Sequence, residues 1–207
     1  MTLEARGVGC VRGERRLFSG LDFAIRPGEA LVIEGPNGTG KSSLLRLLAG
    51  FLGPAEGAVL WDGSDIADEP DLHRRRTAWV GHLDALKPAL SVVENLRFWR
   101  RALDTAEKPA SSRQALDQLG LGHVADLPAR YLSAGQRRRL ALARLALVHR
   151  PLWLLDEPTT ALDAEGAAVF RSLLESPLAR GGFAAIASHL DLGLPGIRRL
   201  RLGAARP

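Results

Sequence analysis

The chain has 207 residues, the size of a single domain with room for a substantial core. Apolar residues make up 46% of it and charged residues 25%, a balance that excludes extensive disorder. The net charge of +5 is compatible with a phosphate, membrane or nucleic-acid partner, but the basic residues form no aromatic-interleaved stripe, so we expect no nucleic-acid binding.

The single cysteine and the N-terminal segment bear on metal binding and on the cellular location of the protein. Cys10 cannot form an intrachain disulfide and has no CxxC or His partner nearby, so we expect a small core residue and no thiolate metal site. Residues 1–9 carry charges at Glu4 and Arg6 where a signal peptide would be apolar, and no apolar run approaches the ~18 residues of a membrane helix. We expect a cytosolic protein that meets a membrane only through partners.

Residues 1–81 predict mainly strands. Strands are expected at Leu3–Ala5, Leu21–Ile25, Ala30–Glu34, Val59–Trp61 and Thr77–Gly81. The apolar run Ala30–Glu34 is typical of a buried parallel strand, and Asp62-Gly63 is typical of a hairpin turn. One helix is expected at Ser42–Ala49, stopped by Gly50.

Residues 82–150 predict helices instead. Ser91 and Glu94 form a capping-box pattern, and apolar residues follow on one helix face at Val92, Leu96, Trp99 and Leu103. Further helices are expected at Arg113–Leu119 and Gln136–His149, with a polar surface loop at Thr105–Ser112.

The α/β pattern returns after Pro151. Strands are expected at Leu152–Leu155, Phe183–Ala187 and Ile197–Leu202, and a helix at Ala164–Glu175. The sequence therefore predicts an α/β fold in which residues 1–81 and 151–207 form the core and 82–150 form an inserted helical lobe.

A phosphate-binding loop stands between the expected strand Ala30–Glu34 and the expected helix. It fits G-x-x-x-x-G-K-[ST] with the residues Gly35, Pro36, Asn37, Gly38, Thr39, Gly40, Lys41 and Ser42. Glycines let backbone N–H groups turn toward phosphate oxygens, and the helix directs its positive end at the same anion. Lys41 would bind the β- and γ-phosphates, and Ser42 would ligate Mg²⁺. Ser43, the next residue, is also expected to belong to the ATP-binding site. Alone, the loop would suit a kinase, a GTPase, a helicase or a transporter.

Two acidic residues follow the second apolar strand. Asp156 and Glu157 stand where doubly wound sheets bind ligands, at the carboxyl end of the strand. Asp156 would hold Mg²⁺, directly or through water, and Glu157 would act as general base on the attacking water. Because adjacent residues on a strand point to opposite sides, we expect different roles for the two carboxylates.

The segment Leu132–Gln136 makes the chain resemble the ABC ATPase family, whose usual signature is LSGGQ and here is LSAGQ. The order of phosphate loop, signature, acidic strand, Ala161-Leu162-Asp163 and Ser188-His189 also matches that family over essentially the whole chain. The resemblance implies a P-loop NTPase (RecA-like) core with a small antiparallel β subdomain and an inserted helical subdomain. It also implies ATP and Mg²⁺ as ligands.

The signature has a physical basis in this sequence. Ser133 and Gly135 are expected to open a helix at Gln136, which gives a second anion-binding helix terminus, although Ser133 would serve equally as a simple N-cap. In the family, Ser133, Gly135 and Gln136 of one subunit would close on the ATP of the other. The resemblance thus implies a head-to-tail homodimer with two ATP molecules at the interface.

Other residues take their expected roles from the same resemblance. Asp163 would line the dimer interface, or cap the following helix, and His189 would contact the γ-phosphate. Two positions depart from the family pattern. His82 replaces the usual Gln that contacts Mg²⁺ and water, and Arg12 replaces the usual aromatic residue that stacks on adenine.

Local segments such as Glu94–Trp99 and Leu17–Leu21 resemble the haem-exporter ATPases of cytochrome c biogenesis within this family. That resemblance implies membrane partners of the CcmB and CcmC type, docked over the residues after His82 through Arg101, and a peripheral place on the cytoplasmic face of the bacterial inner membrane. Hydrolysis would either move haem or release a haem-loaded carrier. The alternatives are an exporter for a lipid or peptide, a soluble non-transport ABC protein and a small-molecule kinase.

Overall fold

The computed structural model describes residues 1–103, 110–189, 193 and 196–203. Among them it forms two compact units, the first comprising 1–79, 150–157 and the described residues from 177 to 203, and the second comprising the described residues of 80–149 together with 158–176. The α/β class predicted from the sequence is confirmed.

An antiparallel sheet forms one part of the first unit. Its strands, in sheet order, are β2 (Arg15–Ile25), β1 (Leu3–Arg12), β4 (Glu56–Trp61) and β5 (Ser64–Asp65). The turn predicted at Asp62-Gly63 joins β4 to β5, and both residues have positive φ, as a two-residue hairpin requires. Strand β1 is much longer than the predicted Leu3–Ala5, because irregularities between Ala5 and Val11 break the strict alternation without ending the pairing with β2.

A parallel sheet forms the other part. Its order is β6 (Thr77–Val80), β7 (Leu152–Asp156), β8 (Phe183–Ala187), β3 (Ala30–Glu34) and β9 (Ile197–Arg201). The pairs β7–β8, β8–β3 and β3–β9 are all parallel. Strands β7 and β8 are buried at every position, which explains the apolar runs Leu152–Leu155 and Phe183–Ala187.

Helix α1 (Lys41–Leu48) packs on β7 and β8 and fills the core of the first unit. Its leucines at 44, 45, 47 and 48 are at most 1% exposed. Because they join Leu3, Ile25 and Phe183 in one apolar cluster, the residues that follow the phosphate loop are rigidly held. The short helix α2 (Pro70–Arg76), not predicted from the sequence, precedes β6.

The second unit is built mainly from helices. They are α3 (Val92–Ala102), α4 (Ser112–Gln118), α5 (Ala134–Ala143) and most of α6 (Ala164–Ala179), with short 3₁₀ turns at Gly122–Val124, Ala129–Tyr131 and Arg144–Leu147. The capping box predicted at Ser91 and Glu94 is present at the start of α3. Most of the loop predicted at Thr105–Ser112 lies outside the described residues, and Ser112 itself begins α4.

The predicted bounds of α5 and α6 were wrong. Helix α5 begins at Ala134, not Gln136, since Ser133 is the N-cap, and it ends at Ala143, where a 3₁₀ turn takes over, not at His149. Helix α6 runs beyond the predicted Glu175 to Ala179 and includes Pro177 in its last turn, where the lost N–H donor costs only one terminal bond.

Candidate functional site

The phosphate loop connects β3 to α1 through backbone that only glycine adopts easily. Gly35, Gly38 and Gly40 all have positive φ. At Gly35 a Cβ atom would lie 2.5 Å from the Leu202 carbonyl oxygen, and at Gly40 it would lie 2.8 Å from the Phe18 ring. The glycine spacing therefore has a steric cause in this chain as well as an anion-binding one.

Lys41 lies folded over the loop that precedes it. Its side chain is 8% exposed, and its Nζ donates to the Gly35 carbonyl at 2.8 Å and to the Pro36 carbonyl at 3.3 Å. Thr39 also donates to Pro36, at 2.9 Å. These contacts hold the loop in a closed turn with the ammonium at its mouth, where a phosphate oxygen would meet both the ammonium and the first amides of α1.

Ser42 and Asp156 meet, although they are far apart in the sequence. The Ser42 hydroxyl donates to Asp156 Oδ1 at 3.1 Å, and Asp156, the last residue of β7, is only 3% exposed. A hydroxyl and a carboxylate side by side form the hard oxygen donor set that Mg²⁺ prefers. The neighbouring Ser43 hydrogen-bonds Cys10 through its side chain. Burial raises the pKa of the Cys10 thiol, and the hydrogen bond with Ser43 opposes that rise.

Glu157 and His189 form a second pair in the same unit. His189 Nε2 lies 3.3 Å from Glu157 Oε1, and both side chains are partly exposed. We expected strand alternation to direct the side chains of Asp156 and Glu157 to opposite sides, and this reason was wrong. Strand β7 ends at Asp156, and Glu157 leaves the strand in a left-handed conformation, φ 49°, with its N–H bonded to the Ala187 carbonyl. This turn, rather than strand alternation, separates the two carboxylates.

Arg12 stands at the exposed end of β1, beside the tight turn that leads to β2. Its backbone faces Arg15 across the hairpin. Its exposure leaves the guanidinium accessible to a ligand.

The signature residues lie at the start of α5 in the second unit. The Ser133 hydroxyl accepts from the Gln136 N–H at 3.2 Å, and Gln136 Oε1 accepts from the Ser133 N–H at 2.9 Å, a complete capping box. Gly135 has no room for a side chain, because a Cβ atom there would lie 2.9 Å from the Ala161 carbonyl oxygen. The segment before Asp163 therefore packs directly against the signature turn.

The two remaining predicted residues also belong to the second unit. Asp163 Oδ1 accepts from the Gly166 N–H at 2.8 Å and so caps α6, the alternative role that the sequence left open. His82 is exposed in the loop that follows β6.

Sequence reasoning missed one buried polar cluster in the second unit. Arg138 is 4% exposed and forms an ion pair with Asp84 at 3.2 Å. Arg138 lies in a run of three arginines, which looks like a solvated surface. A helical period would have found it, because Arg138 shares a face of α5 with the buried Leu142, one turn further along.

Within the part of the chain that the structure describes, no helix combines the length and the apolar character that a membrane span requires.

Comparison with known proteins identifies the class that this fold and site define. The profile of the family described as ABC transporter matches residues 18–160, most of the chain. The chain therefore belongs to the ABC transporter family and is the ATP-binding subunit of such a transporter.

Individual relatives give a more specific comparison than the family profile. The chain is 53% identical to the cytochrome c biogenesis ATP-binding export protein CcmA of Rhodopseudomonas palustris strain HaA2, over 99% of this chain and all of the relative. It is 48% identical to the protein of the same name from Paramagnetospirillum magneticum, over 97% of this chain and 94% of the relative.

Solved structures show the same fold. The ATP-binding subunit of an ABC transporter superposes with a TM-score of 0.82 at 23% identity, covering 98% of this chain and 88% of the other. The post-hydrolysis dimer of the ATP-binding cassette MJ0796, bound to ADP and Pi, superposes with a TM-score of 0.82 at 26% identity, covering 99% and 97%. Together with the family match, these findings confirm the predicted ABC-type ATPase that binds and hydrolyses ATP.

Proposed function

We propose that this chain is the ATPase of an exporter that serves cytochrome c biogenesis and whose substrate is haem or a haem-loaded carrier. The observation that carries the proposal is the 53% identity to a protein of that named role over the whole of both chains. The proposal is also supported by the geometry of the first unit, where Ser42 lies 3.1 Å from Asp156 and His189 lies 3.3 Å from Glu157.

ATP binding in this proposal is the work of the phosphate loop. The backbone N–H groups of Gly35 and of 37–40, the N-terminus of α1 and Lys41 hold the β- and γ-phosphates, and Arg12 stacks on the adenine. Ser42 and Asp156 would hold Mg²⁺, whose charge would neutralise the phosphate oxygens. His82, in place of the usual Gln, would contact the metal and the attacking water.

Hydrolysis uses the pair Glu157 and His189. Glu157 accepts the proton as the water oxygen forms its bond to the γ-phosphorus, and the bond from that phosphorus to the bridging oxygen breaks to leave ADP. His189 orients the Glu157 carboxylate through the 3.3 Å contact and faces the γ-phosphate. No covalent enzyme intermediate is required.

We further propose that two copies enclose two ATP molecules. Ser133, Gly135 and Gln136 of one copy close on the γ-phosphate held by the other, and Asp163 lines the interface. This is supported by the capped N-terminus of α5, which is suited to an anion. It is also supported by the dimeric state of the MJ0796 cassette.

We propose the following roles for the parts of the chain in the transporter complex. Residues 1–81 and 151–207 act as the nucleotide-binding core, and 82–150 as the helical subdomain that carries the signature. Residues 82–101 receive membrane subunits of the CcmB and CcmC type, which place the ATPase on the cytoplasmic face of the inner membrane as a peripheral protein.

A test of the substrate uses cells whose only copy carries Glu157→Gln. Haem staining of membrane c-type cytochromes is expected to disappear while the apocytochromes are still made, since the exporter binds ATP but cannot hydrolyse it. Glu175→Gln, on an exposed face of α6, is the matched control and should leave staining unchanged. Normal staining with Glu157→Gln would contradict the cytochrome role and favour another exported substrate, such as a lipid or peptide.

A further inference from the structure

A buried arginine organises the loop that carries His82. This loop, residues 81–90 and here called the His82 loop, follows β6. Arg138 Nη1 donates to the Gly81 carbonyl at 3.0 Å and to Asp84 Oδ1 at 3.2 Å. Its Nε donates to the Pro158 carbonyl at 3.1 Å. Two of these acceptors, Gly81 and Asp84, flank His82, one on each side.

The charge balance makes Asp84 important to this arrangement. A guanidinium that is 4% exposed needs a counter-ion, because an uncompensated buried charge is strongly unfavourable. Arg144, also buried, lies 4.5 Å from the Trp99 ring centroid. The pKa of Arg144 is lowered to about 10, mainly by burial and also by the positive charge of Arg138, while the Asp84 carboxylate opposes the shift. Asp84 thus balances two neighbouring cations.

The far end of the His82 loop is held by a different residue. Asn95, 1% exposed on α3, accepts from the Lys87 N–H at 2.8 Å and donates to the carbonyls of Lys87, Leu90 and Ser91. Between Gly81 and Asp84, the two loop residues that Arg138 contacts, His82 is exposed and Leu83 is 80% exposed. The His82 loop is therefore held by two buried side chains, Arg138 near its start and Asn95 near its end, while His82 and Leu83 remain exposed.

We propose that Arg138 and Asp84 are positioning residues that hold His82 in the orientation it needs for hydrolysis. The inference rests on the proposed role of His82 at the metal and the attacking water. Arg138 belongs to α5, whose first turn contains the signature residues, so the same helix that binds the second copy's ATP fixes the His82 loop. Neither residue touches nucleotide in this scheme; both act through His82.

The test is a double-mutant cycle in the full chain, assembled with its co-expressed membrane subunits. The variants are His82→Ala, Asp84→Asn and the two combined, and the measurements are kcat and KM for MgATP and the thermal midpoint. Asp84→Asn is expected to lower kcat about tenfold, as for groups that orient a ligand, with KM nearly unchanged. In the His82→Ala background, Asp84→Asn should change kcat no further, while it lowers the thermal midpoint in both backgrounds.

Controls separate positioning from folding. Asp126→Asn removes an exposed ion pair with Arg113 in the same unit and should leave kcat unchanged. Asp84→Glu, which restores the charge, should recover part of kcat. Where Asp84→Asn does not accumulate, Arg138→Lys takes its place in the same cycle, because it keeps the charge and loses the forked geometry.

The results that would overturn the proposal differ from those that would overturn the proposed function. Equal losses of kcat from Asp84→Asn in both backgrounds, or a wild-type kcat in His82→Ala, would refute the positioning role alone. Glu157→Gln is measured beside the cycle. If it hydrolysed ATP at the wild-type rate, the proposed mechanism itself would be wrong, and the positioning role with it.

Discussion

At the scale of single residues, Lys41 is held by the loop that it serves. Its ammonium donates to the Gly35 and Pro36 carbonyls, so the phosphate contact proposed for it would cost little further side-chain entropy. Lys41→Ala is expected to weaken ATP binding at least about tenfold, the loss of one charge-assisted hydrogen bond to phosphate. Titration with a fluorescent ATP analogue measures it. Arg74→Ala, an exposed basic residue of the same unit, is the control, and equal affinities for all three proteins would contradict the assignment.

His73 gives the fold a pH dependence. It is buried, and its Nε2 lies 2.8 Å from the Leu48 carbonyl. Burial lowers its pKa below the ordinary value of 6.5, the Leu48 bond opposes this, and Arg76 adds to the lowering. The folded state therefore favours the neutral ring, so its contribution to stability is present above about pH 6.5 and is lost as the pH falls toward the folded-state pKa.

The corresponding experiment is urea unfolding at about pH 7.5 and about pH 5.5, on either side of the ordinary histidine pKa. His73→Gln keeps a donor for Leu48 and does not titrate, so its free energy of unfolding should fall less between the two pH values than that of the wild type. The exposed His123→Gln should behave like the wild type. An unchanged pH slope in His73→Gln would show that other groups cause the acid sensitivity.

At the scale of elements, the contact between Gly135 and Ala161 fixes the turn that opens α5. A Cβ atom at 135 would lie 2.9 Å from a backbone oxygen, which cannot move away as a side chain can. Gly135→Ala is expected to cost about 1–3 kcal/mol of unfolding free energy, as overpacking does, and to reduce ATP hydrolysis by displacing the signature. Gly53→Ala, in open space, should stay within about 0.5 kcal/mol of the wild type. Unfolding and hydrolysis that match the wild type in Gly135→Ala would refute the close contact.

Elements with a strong period or a complete motif were predictable, and polar or irregular ones were not. The apolar runs of β3, β7 and β8 were predicted within a residue of their observed ends, because both faces of those strands are buried. Helix α2 was missed because its seven residues are mostly charged. The end of α5 was misplaced because the apolar pattern continues through the 3₁₀ turn 144–147, where the helical period no longer applies.

The same contrast holds for the site. The phosphate loop and the acids after β7 follow from local sequence, because backbone conformation and strand position define them. The Ser42–Asp156 and Glu157–His189 contacts join distant segments, and the order of strands in the parallel sheet brings them together. The buried Arg138–Asp84 pair has no local signature beyond one residue on an apolar helix face.

At the scale of the whole molecule, the proposed ATPase is completed by a second copy. Ser133 already has a local partner in Gln136, so its proposed contact with the other copy's ATP adds to a formed cap and requires no rearrangement of it. Ser133→Arg is expected to leave ATP binding to one copy intact and to block closure, because a long cation replaces the small hydroxyl at the face that meets the partner. Loss of ATP binding in this variant would place Ser133 in the subunit's own site instead.

The most direct test of the account is the mass of the Glu157→Gln chain in solution, measured by light scattering with and without MgATP. We predict a monomer without nucleotide and a stable dimer with ATP, because binding persists while hydrolysis, which would reopen the dimer, is blocked. Adding Ser133→Arg should return the ATP-bound protein to a monomer. A monomer with saturating ATP, or a dimer that Ser133→Arg does not disturb, would contradict the enclosure of ATP between two copies.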